Sequence, residues 1–264
     1  MNTFSLKENR KYWEDPNTRS LIDPNMKELE IDFISRYLRD EHKVADIGCG
    51  DGNTVVNIAP RVKSILGIER SDYLKNMAIQ KIAENKIENA SICSGDILET
   101  DFCEEFDIVI TERVLINLPS WELQYQAIEN IHRNLRAGGL YLMVENTIDG
   151  HNALNRLRQA VGLKPIDIHW HNLYLDYEIF CDGIKGKFEI LERYGFSLYY
   201  FLTRVYTQMF ANFIGSGINA KADKIFELSD PAARALQQIA GDQMTYRGNN
   251  NVLGAIQGFA LRKI

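Results

Sequence analysis

Residues 44–52 read V-A-D-I-G-C-G-D-G and join a short apolar run to three glycines. The apolar run predicts a buried strand, and Gly48, Gly50 and Gly52 follow it directly. Because glycine has no Cβ, the backbone can turn sharply there and a bound molecule can lie against the main chain. In an open α/β sheet, a tight turn after the first strand marks the ligand crevice at the carboxyl ends of the strands. The stretch therefore predicts a doubly wound α/β fold with a nucleoside-bearing cofactor at this turn.

The spacing of these glycines separates the cofactor classes. The dinucleotide fingerprint G-x-G-x-x-G needs its third glycine at the position that Asn53 occupies. The chain also contains no G-x-x-x-x-G-K-[S/T] phosphate loop, so nothing favours an ATP or GTP site of that type. The glycine spacing therefore disfavours a nicotinamide oxidoreductase, which stays open as an alternative.

Two acidic residues end the next two predicted strands. Glu69 follows the strand over residues 64–68, where an acid can accept hydrogen bonds from both ribose hydroxyls of an adenosine. Asp96 follows the strand over residues 90–93, where its carboxylate can accept from the exocyclic amine of adenine. Either residue alone also fits a solvated strand end or a turn cap. An adenosine site is predicted because both acids follow successive strands after the glycine turn.

Taken in order, these motifs resemble the class I S-adenosylmethionine-dependent methyltransferases over about residues 40–146. Residues 106–118 look like the strand-four segment of that family, and residues 135–146 look like its turn before strand five. The resemblance implies a Rossmann-like, seven-stranded, mostly parallel sheet with an antiparallel last strand, and S-adenosyl-L-methionine as cofactor. The cofactor-binding residues that it implies are Asp46, Gly48, Cys49, Gly50, Glu69, Arg70, Asp96, Ile97, Thr111 and Tyr12.

The composition fits a soluble enzyme. The chain has 264 residues with 45% hydrophobic and 25% charged side chains, and these values are close to the globular average. No apolar run reaches the roughly 18 residues of a membrane span, and we expect no signal peptide. Its net charge of −6 without a basic block disfavours a nucleic acid as a partner, because binding a polyanion needs clustered positive charge. The scattered thiols, which suit a reducing cytoplasm, are Cys49, Cys93, Cys103 and Cys181.

We expect a single domain with four consecutive parts. Residues 1–40 are predicted to form an N-terminal helical lid, and residues 41–146 the cofactor-binding core. Residues 147–195 are predicted to be a substrate-side insertion, and residues 196–264 to complete the sheet. Further elements predicted from periodicity and turn signals are helices over residues 25–38, 152–161 and 229–240, strands over 197–207 and 252–261, and a turn over 248–251.

Residues 169–174, H-W-H-N-L-Y, concentrate polar and aromatic side chains after the fifth predicted strand. In a doubly wound fold this segment leaves the edge where the ligand lies, and its side chains can stack on a sugar ring and hydrogen-bond its hydroxyls. Surface histidines beside a buried tryptophan are an equally simple interpretation. A metal is not favoured, because no third ligand stands nearby. The predicted substrate-binding residues are Arg113, Asn117, Trp170, Asn172 and Tyr174.

The chemistry follows from the cofactor. A sulfonium methyl is already electrophilic, so the protein mainly has to hold a nucleophile in line with the S–CH₃ bond. A neutral hydroxyl also needs a base, and a histidine suits that role. The candidates for this base are His151, His169 and His171, and no metal is expected.

The acceptor is predicted from a second, weaker resemblance. Residues 162–175 look like a segment of methyltransferases from bacterial surface-polysaccharide gene clusters. That resemblance implies O-methylation of a sugar, sugar phosphate or glycan precursor, with N-methylation of an amino sugar or other small molecule as the alternative. A non-catalytic S-adenosylmethionine-binding module and a homodimer also stay open. A DNA amino-methyltransferase is not indicated, since residues 111–120 lack its [DNS]-P-P-[YF] motif.

Overall fold

A computed structural model describes residues 4–18, 23–99, 105–214, 219–241 and 252–264. Its strands are β1 (Lys43–Ile47), β2 (Ser64–Glu69), β3 (Ala90–Ser94), β4 (Phe106–Glu112), β5 (Leu135–Asn146), β6 (Phe188–Gly195) and β7 (Ile256–Lys263). They form one sheet in the order β3-β2-β1-β4-β5-β7-β6. Neighbouring strands from β3 to β5 are parallel, whereas β7 runs antiparallel to both β5 and β6. The predicted seven-stranded, doubly wound sheet with an antiparallel last strand is confirmed.

Helices cover both faces of this sheet, which is why its central strands are buried and apolar. The α-helices are α1 (Leu6–Trp13), α2 (Pro24–Ser35), α3 (Asn53–Ile58), α4 (Asp72–Glu84), α5 (Trp121–Asn134), α6 (Ile148–Ala160), α7 (Tyr177–Gly183), α8 (Ser197–Phe201), α9 (Thr207–Ile214) and α10 (Asn219–Ala240). Single 3₁₀ turns lie at Ala59–Arg61 and Leu115–Asn117, and a π-helical turn lies at Leu202–Tyr206.

The turn between β1 and α3 depends on its glycines. Gly48, Gly50 and Gly52 have φ values of 73°, 57° and 76°, which only glycine adopts without strain. A Cβ on Gly48 would lie 2.5 Å from a methyl carbon of Val114, in the loop that follows β4. The sequence therefore needs glycine at position 48 for conformation and for space.

Helix α2 begins one residue before its predicted start. Asp23 caps it by accepting a hydrogen bond from the Met26 N–H at 3.1 Å, and Pro24 occupies the first helical position. Its buried face packs on the sheet, where the ring of Phe33 lies against Gly258. The helix ends at Ser35 rather than at residue 38. Helix α6 likewise starts at Ile148, before residue 152, because the Thr147 hydroxyl caps it.

The strand predicted over residues 197–207 is wrong, because this segment forms α8, the π-helical turn and the start of α9. Phe196, Tyr199, Tyr200 and Thr203 are buried at helical spacing, although their aromatic character suggested a strand. The strand at this position of the sheet is β6, which lies within the stretch predicted as the substrate-side insertion. It is an edge strand rich in charged residues, a pattern that hides its strand character.

Two further predictions concern the C-terminal part. Helix α10 starts ten positions before the predicted helix over residues 229–240 and contains Pro231 in its interior. The predicted turn over 248–251 lies outside the described residues, and the last strand runs over Ile256–Lys263 rather than 252–261. Cys49, Cys93 and Cys181 are free thiols, and Cys103 also lies outside the described residues. None of the described helices is both long and apolar enough to cross a bilayer.

Candidate functional site

A crevice of about 490 Å³ opens at the carboxyl ends of β1, β2 and β4. Its walls are the glycine turn, the ends of β2 and β3, the loop after β4, and residues 13–18 at the end of α1. Among the residues predicted to bind the cofactor, those lining the crevice are Gly48, Cys49, Gly50, Glu69, Arg70, Asp96 and Ile97. Arg113 and Asn117, predicted to bind substrate, line it too.

Glu69 is held at the glycine turn by two backbone groups. Its Oε2 accepts a hydrogen bond from the Gly50 N–H at 2.9 Å, and its Oε1 accepts from the Ser71 N–H at 2.8 Å. Burial raises the pKa of this carboxyl, although both backbone bonds oppose the rise. A carboxylate has about four acceptor positions, so two remain for ligand hydroxyls. This arrangement fits the two hydroxyls of a ribose.

Asp96 connects the end of β3 to α1. Its Oδ1 accepts from the Leu98 N–H at 3.0 Å, while its Oδ2 lies 3.0 Å from a guanidinium nitrogen of Arg10. Arg70 approaches the same oxygen at 3.7 Å. The residue predicted to hold the adenine amine thus also forms an ion pair with the N-terminal helix.

A group of buried charges lies where the glycine turn meets β4. Lys27 of α2 donates to Glu112 Oε2 at 2.6 Å, and the Thr54 hydroxyl binds the same oxygen. Burial raises the pKa of Glu112, but Lys27 and Arg113 outweigh that effect and leave it below its ordinary value. Burial raises the pKa of Asp46 to about 8.

Two oxygens in this group are buried without a hydrogen-bond partner among the described residues: Asp46 Oδ2 and Glu112 Oε1. Buried polar atoms are almost always hydrogen-bonded, so each of these calls for a donor that a ligand could supply. The ammonium group of a methionine moiety is such a donor, and the Lys27 ammonium could pair with the carboxylate beside it. The residues present therefore fit the amino-acid end of S-adenosyl-L-methionine.

Glu145, at the end of β5, holds the loop after β4 through hydrogen bonds to its backbone. This fully buried carboxylate accepts hydrogen bonds from the N–H groups of Val114, Leu115 and Ile116 at 2.7, 2.9 and 3.4 Å. Burial raises its pKa to about 7, although these three bonds pull in the opposite direction. Arg113, at the start of the loop, has a left-handed backbone with φ of 56° and pairs with Glu30 of α2.

Helix α1 lies against this loop through Asn117. The Asn117 Oδ1 accepts from the indole N–H of Trp13 at 3.1 Å and from the Asn9 amide at 3.3 Å. The same Asn9 amide nitrogen lies 3.4 Å from the backbone oxygen of His171. One buried side chain of α1 therefore links the crevice wall to residues 169–174.

The aromatic side chains of α1 and residues 169–171 gather around His171. The Tyr12 ring stacks on its imidazole with 4.1 Å between centroids, and the rings of His169 and Trp170 lie 5.7 and 5.3 Å away. Burial and, to a smaller extent, the nearby His169 together lower the pKa of His171 to about 4. Its Nδ1 is buried and has no hydrogen-bond partner in the described ranges, whereas the His169 side chain is exposed.

The remaining predicted site residues lie elsewhere. His151 of α6 lies 3.0 Å from the Asn155 amide nitrogen and contacts the Tyr174 ring. The Asn172 Oδ1 is buried, and no group in the described part of the structure bonds to it. The Thr111 hydroxyl lies 2.8 Å from that of Tyr141. None of the predicted histidines lines the crevice within the described part of the chain, and their catalytic role stays a prediction. No three His, Cys, Asp or Glu side chains of that part come together as a metal site.

Sequence reasoning missed Lys27, Glu112 and Glu145 as site residues. Lys27 sits in an ordinary amphipathic helix without any motif, so nothing in the sequence indicated its partner 85 positions away. The Glu112-Arg113 pair directly after a strand was the one available signal, because adjacent charges at a buried strand end call for partners.

Comparisons with known proteins identify the family. A family model described as a methyltransferase domain matches residues 38–164. A probable cobalt-precorrin-6B C(15)-methyltransferase (decarboxylating) from Methanococcus maripaludis is 33% identical over 140 residues, covering 53% of this chain and 71% of that protein.

Two solved structures share the fold. The N-methyltransferase NodS from Bradyrhizobium japonicum, in complex with S-adenosyl-L-homocysteine, has a TM-score of 0.53 at 18% identity, covering 71% of this chain and 88% of that one. The YcgJ protein from Bacillus subtilis has a TM-score of 0.54 at 14% identity, covering 90% and 98%. With the ordered motifs, the strand order and the crevice in place, the chain belongs to the class I S-adenosylmethionine-dependent methyltransferases, and S-adenosyl-L-methionine is its cofactor.

Proposed function

We propose that the enzyme transfers the methyl group of S-adenosyl-L-methionine to a hydroxyl of a sugar, sugar phosphate or glycan precursor. The acceptor would bind between α1, acting as a lid, and residues 169–174. The observation that carries this proposal is the Asn9 amide, which contacts both Asn117 in the crevice wall and the His171 backbone. The cofactor crevice and residues 169–174 are therefore only one amide group apart. Those residues are rich in side chains that stack on sugar rings and bind hydroxyls.

Each part of the cofactor has a partner in this proposal. Glu69 would accept from the ribose hydroxyls, and Asp96 from the adenine amine. Asp46 and Glu112 would receive the ammonium group, and Lys27 would pair with the carboxylate. When bound, the cofactor supplies an electrophilic methyl group, and the chain's own task is to orient the acceptor and remove its proton.

We assign the base to His171 among the three candidate histidines. A pKa of about 4 leaves its imidazole neutral at pH 7 and makes it a weak base. The acceptor oxygen becomes strongly acidic as it bonds to the methyl carbon, so even this weak base can take its proton in that step. Its Nδ1 has no partner within the described residues and is available for that proton. Stacking on Tyr12 fixes the plane of the ring. Trp170 and Asn172 would contact the acceptor on either side of this base.

A methyl-transfer assay with isotopically labelled S-adenosyl-L-methionine tests the proposal. The acceptors are free sugars, sugar phosphates, nucleotide sugars and their amino-sugar counterparts, with products identified by mass spectrometry. We expect His171→Gln to lower turnover by about 10² to 10⁴-fold and to leave S-adenosyl-L-homocysteine affinity within about twofold. His169→Gln is the matched control, since this neighbouring imidazole is exposed.

Three outcomes would redirect the proposal. Full turnover by His171→Gln would place the base elsewhere. Methylation of amino sugars alone would support the N-methyltransferase alternative, in which the free amine attacks the methyl group without a dedicated base. Cofactor binding without transfer to any acceptor would favour a non-catalytic binding module. Whether the protein is a homodimer can be measured on the same material by light scattering.

The proposed setting is the cytoplasm, with a small molecule as the partner. The described cysteines are free thiols, as is usual in a reducing compartment. A net charge of −6 disfavours a polyanion such as a nucleic acid as substrate.

A further inference from the structure

We infer that Glu145 is a positioning residue that holds α1 closed over the cofactor crevice, acting through the loop of residues 113–118. This inference rests on the proposed function in one respect, namely that α1 is the lid over the cofactor and the acceptor. Glu145 itself lies beneath the loop and does not line the crevice. Its influence on the site must therefore pass through the residues that it holds.

The first step of the argument is the contact between Glu145 and the loop. The N–H groups of Val114, Leu115 and Ile116 lie at the start of a 3₁₀ turn, where no preceding turn supplies carbonyl acceptors. Glu145 provides the acceptor for all three. Its carboxylate thus sets the position of the turn, and the Arg113 N–H adds one bond of 2.7 Å to the Val144 carbonyl.

The second step is the contact between the loop and α1. Asn117 is the last residue of the 3₁₀ turn, and its side-chain NH₂ group donates to the Arg113 carbonyl at 2.7 Å. This bond fixes which way the Asn117 Oδ1 points. That oxygen is the acceptor for Trp13 and Asn9 of α1, so a shift of the loop moves the acceptor away from both donors.

The other contacts of α1 do not replace this attachment. The Arg10–Asp96 ion pair involves a side chain that is 46% exposed, and exposed ion pairs contribute little. The Ser71 hydroxyl donates to the Trp13 carbonyl at 3.1 Å, and Asn9 reaches the His171 carbonyl only at 3.4 Å. The rings of Tyr12 and Trp13 contact His171 and Trp170, and Arg70 lies 3.5 Å from the Asn9 Oδ1, so these contacts join α1 to segments that are not part of the loop. Leu6 packs against the apolar core.

The charges around Glu145 predict how the attachment responds to pH. Arg113 from the loop and the Tyr141 phenol from β5 are the ionisable groups that act on it, and its β7 neighbour is the neutral Gln257. The ionised carboxylate accepts at both oxygens, and hydrogen bonds to an ionised acceptor are the stronger ones. Because the pKa of Glu145 is about 7, closure of α1 should strengthen as the pH rises from 6 to 8.

Hydrogen exchange measured by mass spectrometry on the full chain, without ligand, tests this inference. The readout is the exchange of α1 amides, corrected for the intrinsic pH dependence, with α6 as the internal reference. We expect Glu145→Ala and Asn117→Ala each to speed exchange in α1 by roughly tenfold, the equivalent of one or two ordinary hydrogen bonds. The double variant should be no faster than either single one, because both changes break the same connection.

Glu145→Gln is the conservative control, and it serves as well if the alanine variant does not fold. Its carbonyl oxygen can still accept from Val114 and Leu115, so α1 should exchange within about threefold of wild type at pH 7. In this variant, the corrected exchange rate of the α1 amides should also stay constant between pH 6 and 8, whereas it should fall in the wild type.

Several results would overturn the inference. These are unchanged α1 exchange in Glu145→Ala, additive effects in the double variant, equal acceleration in α6, or the same pH response in wild type and Glu145→Gln. The measurement needs neither an acceptor nor turnover. It can therefore fail while the methyl-transfer proposal survives, and the reverse also holds.

Discussion

Replacing Glu69 by alanine removes the acceptor that we assign to both ribose hydroxyls. Hydrogen bonds to a charged group contribute roughly 1.5–3 kcal/mol each, so two at the lower bound amount to about 3 kcal/mol. That free energy corresponds to a roughly 150-fold weaker Kd for S-adenosyl-L-homocysteine. Glu69→Gln should fall in between, at about tenfold, because its amide NH₂ faces either the Gly50 or the Ser71 N–H instead of accepting from it.

The assay is calorimetric titration with S-adenosyl-L-homocysteine, with NAD⁺ as a negative control ligand. Glu99→Ala is the matched variant, since this carboxylate lies near Arg10 at the edge of the crevice and is 74% exposed. We expect it to change Kd by less than about twofold. An unchanged Kd in Glu69→Ala, with an unchanged thermal midpoint, would refute the ribose assignment. A loss of both affinity and folded structure would instead require the glutamine variant to decide.

Two further predictions concern the glycine turn and the charges below it. Gly48→Ala should lower the thermal midpoint and weaken S-adenosyl-L-homocysteine binding, because its Cβ would lie 2.5 Å from Val114 at a φ of 73°. Adding Val114→Ala should restore part of the loss, and a double variant no better than Gly48→Ala would contradict the steric account. Cofactor binding at pH 7 should release protons, because a pKa of about 8 leaves Asp46 mostly protonated until a ligand ammonium favours its ionised form. Titrations in buffers of different ionisation enthalpy measure this release, which should vanish at pH 9, and proton uptake at pH 7 would contradict it.

The central part of the fold could be predicted because its local signals and its final structure agree. Residues 44–52 carry a strand and a turn that only glycine can make, and the acids after β2 and β3 mark where those strands end. The edge strand β6 could not be recognised, since its solvent-facing residues are charged and its apolar alternation is interrupted. The aromatic residues from Phe196 onward suggested a strand, but burial at helical spacing determines their structure.

The candidate site was predictable only where its residues follow strands. Glu69, Asp96 and Arg113 sit at strand ends, and all three line the crevice. Lys27 and Asn9 come from helices that the chain folds over the crevice, so their importance depends on tertiary contacts that sequence spacing does not encode. His169 and His171 look equivalent in the sequence, yet burial separates them into an exposed ring and a buried, neutral one.

The contact between Gly48 and Val114 limits how this enzyme can acquire new substrates. A side chain larger than valine at position 114 would press on the cofactor turn, because no free volume separates the two loops. Mutations at position 114 that change acceptor specificity would therefore also weaken cofactor binding. Residues 169–174 instead lie against α1, through the Tyr12–His171 stack and the Asn9 amide. A library intended to change acceptor specificity should diversify that segment around His171 and keep positions 48, 114 and 171 constant.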